Sequence, residues 1–331
     1  PYSKALNSND VYPTYDDAKT VYADLLKRLD AALASITSAD GFKSNDVLLG
    51  GDMSAWAKFG NSLKMRLGLI LADSDAALAS STIKSADAGA LQSGDQDIVM
   101  HYESGTPNTN PVWVDLVQSG RKDFVATNTM MDLMSARKDP RIPLYFTVDA
   151  AGGYSGGIYG SSNNYATFSK PSLTVTAPDA IAIWISTAEV EFIRAEAIER
   201  GILSGDAASH YNNAITSSIV AWGGSAADAT AYLAAANVAY STASGDYKEK
   251  IGVQKYIALY NQGYEAWTEW RRLDYPVLNI PNGTPGTTYA DIPRRLTYPV
   301  QEQTINATNW TAASTAIGGD KVQTKLFWDK F

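Results

Sequence analysis

The stretch KIGVQKYIALYNQGYEAWTEWRRLDYP, Lys250 to Pro276, decides how the rest of the chain is read. Val253, Ile257, Tyr260, Tyr264 and Trp267 recur at steps of four, three, four and three, which predicts one continuous helix with its aromatics on a single stripe. Its second half, GYEAWTEWRRLDYP from Gly263, crowds aromatics, two carboxylates and two adjacent arginines together, and fits an active site, a nucleic-acid grip or the wall of a helical scaffold. Glu265 and Glu269 stand four apart, so they point the same way from one helix, whereas a glycosidase pair must flank a bond from opposite sides. Glu269 and Arg272, three apart, can instead pair with each other, and basic residues in a last turn suit the helix dipole. Scaffold is the stronger reading.

Composition narrows the alternatives. A net charge of −8 sets an unfavourable field against phosphate backbones and anionic lipid, so no nucleic-acid partner is expected. The absence of cysteine excludes thiolate catalysis, disulfides and Cys-ligated metal, and neither His101 nor His210 sits in a metal-binding motif. Tyr (19) and Trp (8) far outnumber Phe (8), a skew towards rings with a polar handle that suits wet binding surfaces. No apolar run is long enough to span a bilayer. The chain starts at Pro1 without Met or signal peptide and reads as lacking its natural start.

Outward from the opening stretch, helical periodicity dominates both flanks of an irregular centre. Val21, Leu25, Leu29, Leu33 and Ile36 predict a first amphipathic helix with Thr14 and Asp17 at its cap; Trp56, Phe59, Leu63, Leu67 and Ile70, behind Asp52, predict a second. STAEVEFIRAEAIERG, opened by Ser186 and Glu189 and stopped by Gly201, is followed by a second helix after a short turn. Together they predict an antiparallel hairpin of tetratricopeptide length. DATAYLAAANVAY predicts one more helix. Trp56, Trp222 and Trp267 fall on helical apolar stripes and are expected in the core.

Between about Leu91 and Pro178, Gly, Ser, Asn, Thr, Pro and Tyr take over, with one helix near Thr127 to Arg137 and strand-like pieces in DIVMHY and PLYFTV. The last sixty residues are again irregular, with NIPNGTPGT as a turn cluster. The fold class is therefore mainly α: tetratricopeptide-like helical hairpins supporting an irregular, loop-rich portion with a few short strands. Helices occupy 1–90, a loop-rich region 91–180, tetratricopeptide-like helices 181–275 and an irregular segment 276–331. No nucleophile elbow, phosphate-binding loop or dinucleotide fingerprint is present. SGDQDIV offers Asp95 and Asp97 to a cation but lacks the EF-hand spacing, so no metal and no cofactor is expected.

Four segments taken together, WAKFGNSLKMRLGL (Trp56 to Leu69), STAEVEFIRAEAIERG with HYNNAITSSIVAWG, the opening stretch, and IPRRLTYPVQEQTIN (Ile292 to Asn306), resemble the SusD/RagB family of Bacteroidetes outer-membrane nutrient-binding lipoproteins, in its SusD-like 2 branch. The resemblance runs nearly the whole length. It implies one SusD-like domain over 1–331 lacking its N-terminal part, with the fingerprint residues as scaffold. It also implies a cell-surface protein at the outer membrane, lipid-anchored through an N-terminal cysteine absent from this chain. Such a protein binds an oligosaccharide and acts as lid on a partner SusC-like TonB-dependent transporter, without catalysis.

A sugar site needs flat aromatic platforms beside groups that both donate and accept. The irregular region offers Tyr102, Asn108, Asn110 and Trp113 in one segment, and Tyr154, Tyr159, Asn163, Asn164 and Tyr165 in another, as expected ligand contacts. The same platforms and amides serve peptide capture or a purely structural lid. A glycoside hydrolase would need two carboxyls facing one cleft.

Overall fold

Short polar side chains set the helix starts. In the computed structural model, which describes residues 1–37, 41–282 and 286–331, Asp17 accepts from the Thr20 amide and opens α1 (Ala18–Ser35), while Asp52 accepts from Ser54 and Ala55 to open α2 (Met53–Ile70). α3 (Ala76–Ala86) folds back on α2. After an irregular stretch, α4 (Asn128–Ser135) is capped by Thr127. The hairpin follows as α5 (Thr187–Glu199), capped by Ser186, and α6 (Ala207–Ala221), capped by Asp206, and these two pack most extensively of all. α7 (Ala226–Leu233), α8 (Tyr247–Ala258) and α9 (Gly263–Leu273) complete the helical layer, and α10 (Ala307–Ala316) lies in the C-terminal segment that the pattern predicts as irregular.

The only sheet among the described residues is a two-stranded antiparallel ribbon, β1 (Ile98–Met100) with β2 (Ala182–Ile185). It ties the start of the irregular region to the start of the hairpin. DIVMHY therefore supplies a strand, but PLYFTV does not: Ile142–Tyr145 forms one helical turn with Pro143 in its first positions, and only Phe146 makes an isolated bridge, to Pro171. The turn cluster NIPNGTPGT lies partly outside the described residues.

α2 is covered on several sides, and this shifts its buried line. Ser62, Met65 and Leu69 are fully buried, whereas Trp56, Phe59, Leu63 and Leu67 are only partly covered. Gly68 explains the close approach, since a Cβ there would meet Ile83 and Thr82 of α3 at 3.0 Å.

Charge is buried where the sequence shows only a fingerprint. Arg272 on α9 donates to both oxygens of Glu196 on α5 and to Glu269 one turn back, and Lys255 on α8 lies 3.0 Å from Glu269. Arg200 joins Glu196 at 2.7 Å and Asp73, beyond the end of α2, at 2.9 Å. The i,i+3 pairing expected of Glu269 and Arg272 forms, and the scaffold reading holds. Arg271 beside it lies over the Trp267 and Trp328 rings. A second buried ion, Arg141, pairs with Asp139 and donates to Ser218 of α6 and Gln254 of α8, riveting the irregular region to the helical layer.

Burial alone would push the Glu196 carboxyl up, but Arg272, with Arg200 and Lys255 behind it, holds it down at about 2 against an ordinary 4.5. Between those values the unfolded chain binds the proton and the folded one does not. The stabilisation is therefore complete above about 4.5 and is lost as the pH falls towards 2. Urea unfolding across that window is expected to show a steep acid loss that flattens in Glu196→Gln; equal slopes in the two proteins would refute it.

Candidate functional site

The predicted continuous helix breaks, and the break makes a cavity. α8 ends at Ala258, Asn261 turns into the left-handed region at φ 62°, and α9 restarts at Gly263 with no side-chain cap. Asparagine tolerates this conformation better than most residues. Tyr264 consequently leaves the expected stripe and is 73% exposed, while Tyr260 and Gln262 turn to line a cavity of about 570 Å³. The end of α6 and the β1–β2 ribbon close its other sides. This size is usual for a small-ligand site.

Trp222 and Tyr260 give the cavity its aromatic wall, ring centroids 5.6 Å apart. Both rings back onto buried Tyr145, which stacks on Tyr260 at 4.2 Å and meets Trp222 edge-on at 4.8 Å. Trp222 is thus half-buried at a cavity rather than sealed in the core; Trp56 and Trp267 are also only partly covered, and the fully buried tryptophan of α9 is Trp270. Helical spacing identified an inward-facing stripe but not what stands across from it.

Polar groups share the wall. Asp97 accepts from the Thr187 amide at 2.7 Å, and burial pushes its carboxyl up despite that bond. Asp95 is taken by Lys58 at 2.6 Å and by the Gln92 amide at 2.7 Å. These two carboxylates thus serve the loop and the start of α5, and among the described residues no group of acidic or histidine side chains is placed to hold a metal. His101 is exposed at the rim. Gln262 is the exception: it is 6% exposed and neither its Nε2 nor its Oε1 has a partner.

None of the nine residues predicted as ligand contacts lines this cavity. Tyr102 is half-buried directly after His101. Asn108 donates to Glu103 in an exposed turn, and Asn110 is buried, accepting from Val112 and donating to the Ala180 carbonyl. Trp113, half-buried, sits in the helical turn that Asn110 caps. Tyr154 packs onto the same core cluster as Trp222 and Tyr260. The Asn163 amide braces its own loop through Ile158 and Ser161, and Asn164 does the same through the Ala166 amide. Tyr159 is 39% exposed, while Tyr165 lies under Lys170 beside a separate small cleft near Phe124. In the sequence, the cavity was signalled only by the turn-forming NQG at 261–263 inside an otherwise helical pattern.

The family profile described as "Starch-binding associating with outer membrane" matches residues 1–299. Among solved structures, a SusD homologue from Bacteroides uniformis is 26% identical with a TM-score of 0.88, over 100% of this chain and 77% of that one. A chitin-binding SusD homologue from Flavobacterium johnsoniae is 26% identical with a TM-score of 0.85, covering 99% and 76%. A SusD homologue from Bacteroides thetaiotaomicron is 28% identical with a TM-score of 0.85, covering 100% and 77%. No curated protein matches. The expected mainly helical fold is the one these structures share, and members of the family bind carbohydrate rather than transform it. With its fold and nine-tenths of its length matched, the chain belongs to the SusD-like family of starch-binding proteins that associate with the outer membrane.

Proposed function

We propose that this chain captures an oligosaccharide at the cell surface in the cavity walled by Trp222 and Tyr260 and passes it to a SusC-like TonB-dependent transporter, over which it acts as a lid. The observation that carries this reading is that cavity: two aromatic rings beside Asp97, Thr187 and Gln262, within a starch-binding family. Sugar C–H faces stack on such rings while the hydroxyls donate and accept around their edges. The loop region 91–180, with Tyr102, Trp113, Tyr154, Tyr159 and Tyr165, supplies the surface from which a longer chain reaches the cavity. Attachment to the outer membrane is through an N-terminal lipid, and no bond of the glycan is broken.

Retardation in gels containing single polysaccharides tests this. One glycan is expected to slow the protein and to be recovered uncleaved, with retardation lost in Trp222→Ala. A Tyr154→Ala, Tyr159→Ala, Tyr165→Ala variant is expected to lose part of it. Retardation untouched in Trp222→Ala moves the site away from the cavity, and no retardation by any glycan favours peptide capture or a structural lid. Co-purification with a TonB-dependent barrel checks the transporter separately.

A further inference from the structure

A second cavity, of about 430 Å³ and sharing no residue with the aromatic one, opens between the end of α4 and α7. Its wall runs against the character of a chain with net charge −8, because Arg137 and Lys138 stand side by side on it. Most arginines here meet a carboxylate or an aromatic ring, as Arg141 and Arg271 do. Among the described residues Arg137 meets neither. Its Nη1 donates to the Leu133 carbonyl at 2.9 Å, while Nε and Nη2 have no partner and keep contact with solvent. Lys138 is exposed and its ammonium is likewise without a partner among the described residues. Its backbone lies at φ 51°, and the Lys138 and Asp139 amides donate to the Ser135 and Met134 carbonyls. Lysine thus occupies the left-handed helix end where glycine is usual, and a second cation stands at this rim despite a local conformational cost.

The rest of the lining selects the kind of anion. Asp228 stands in the same wall, its Oδ2 accepting from the Ser225 amide and hydroxyl, and its charge opposes a multiply charged group such as phosphate. A planar carboxylate of single charge matches the arginine fork and tolerates that neighbour. Pro140, Ala231 and Ala235 add apolar surface for the body that carries it. We infer that this cavity is an anion site for a carboxylate-bearing ligand, with Arg137 and Lys138 as its binding cations. It shares no residue with the aromatic cavity, so the two readings stand or fall separately.

Calorimetric titration with trigalacturonate, with its methyl ester and with a capped tripeptide carrying a central glutamate or glutamine tests this, since each pair differs only in carboxylate charge. At least one acid is expected to bind about tenfold more tightly than its neutral partner, the worth of one charge-assisted hydrogen bond, and the preference is expected to shrink at high salt. Whichever acid shows it names the source, sugar or peptide. Arg137→Gln and Lys138→Gly are each expected to remove most of the preference. In Lys138→Gly the melting temperature is expected to hold or rise, because glycine adopts the left-handed conformation without steric cost, so the loss is not one of folding. Trp222→Ala is expected to leave the preference intact. Equal binding of acid and neutral partner in both pairs, or a preference that survives both cation variants, overturns the anion site. A preference lost only in Trp222→Ala moves the carboxylate to the aromatic cavity, which overturns this inference and leaves glycan capture standing.

Discussion

Arg272→Met is expected to destabilise the protein by about 3–5 kcal/mol, because it strips a buried charge cluster of its central cation. Arg272 is 1% exposed and its guanidinium bridges Glu196 and Glu269, carboxylates that come from α5 and α9. Without it the two face each other with only Lys255 and Arg200 beside them. Burying a carboxylate short of its partner carries a penalty that methionine's packing cannot offset. Adding Glu196→Gln is expected to recover part of the loss, as the two sites share one network. Chemical denaturation of the two single variants and the double reads all three; a loss below about 1 kcal/mol for Arg272→Met would mean that solvent reaches the cluster.

Tyr145→Ala is expected to cost about 3–5 kcal/mol and to weaken glycan binding without touching the cavity lining directly. Its ring is fully buried between Tyr260 and Trp222, and its hydroxyl donates to the Ile257 carbonyl at 3.1 Å. Removing the ring leaves a void behind both cavity walls, so Trp222 and Tyr260 lose the surface that holds them in place. Tyr145→Phe keeps the packing and gives up one hydrogen bond, about 1 kcal/mol, with binding retained. Denaturation midpoints and gel retardation, both measured below the transition of the weakest variant, distinguish the two roles. Full binding by a folded Tyr145→Ala protein would show that the walls hold their positions without this support.

The two predictions concern features of different legibility. Cap residues Asp17, Asp52 and Ser186, the hairpin of α5 and α6, and the Glu269–Arg272 pair could be read directly, since each depends on neighbours within about one helical turn. The family was legible for a related reason: its fingerprint is a run of local patterns in a set order. Glu196 reaching Arg272 across 76 positions was not legible, and nor was Arg141 reaching Ser218 across 77. A periodicity states that a face turns inward and leaves open what it meets.

The same division runs through the candidate site. Composition and patterning alone determined a mainly helical scaffold rich in amphipathic rings. They also directed attention to the loops, where amides such as Asn110 and Asn163 stand, yet folding commits those amides to carbonyls of the chain itself. Only the tertiary structure decided that Asn261 breaks the long aromatic helix, that Trp222 and Tyr260 then wall a cavity, and that Gln262 is left beside it unpaired. Local propensity is a property of a few consecutive residues, whereas a cavity is space left among distant segments whose main packing demands have been met elsewhere.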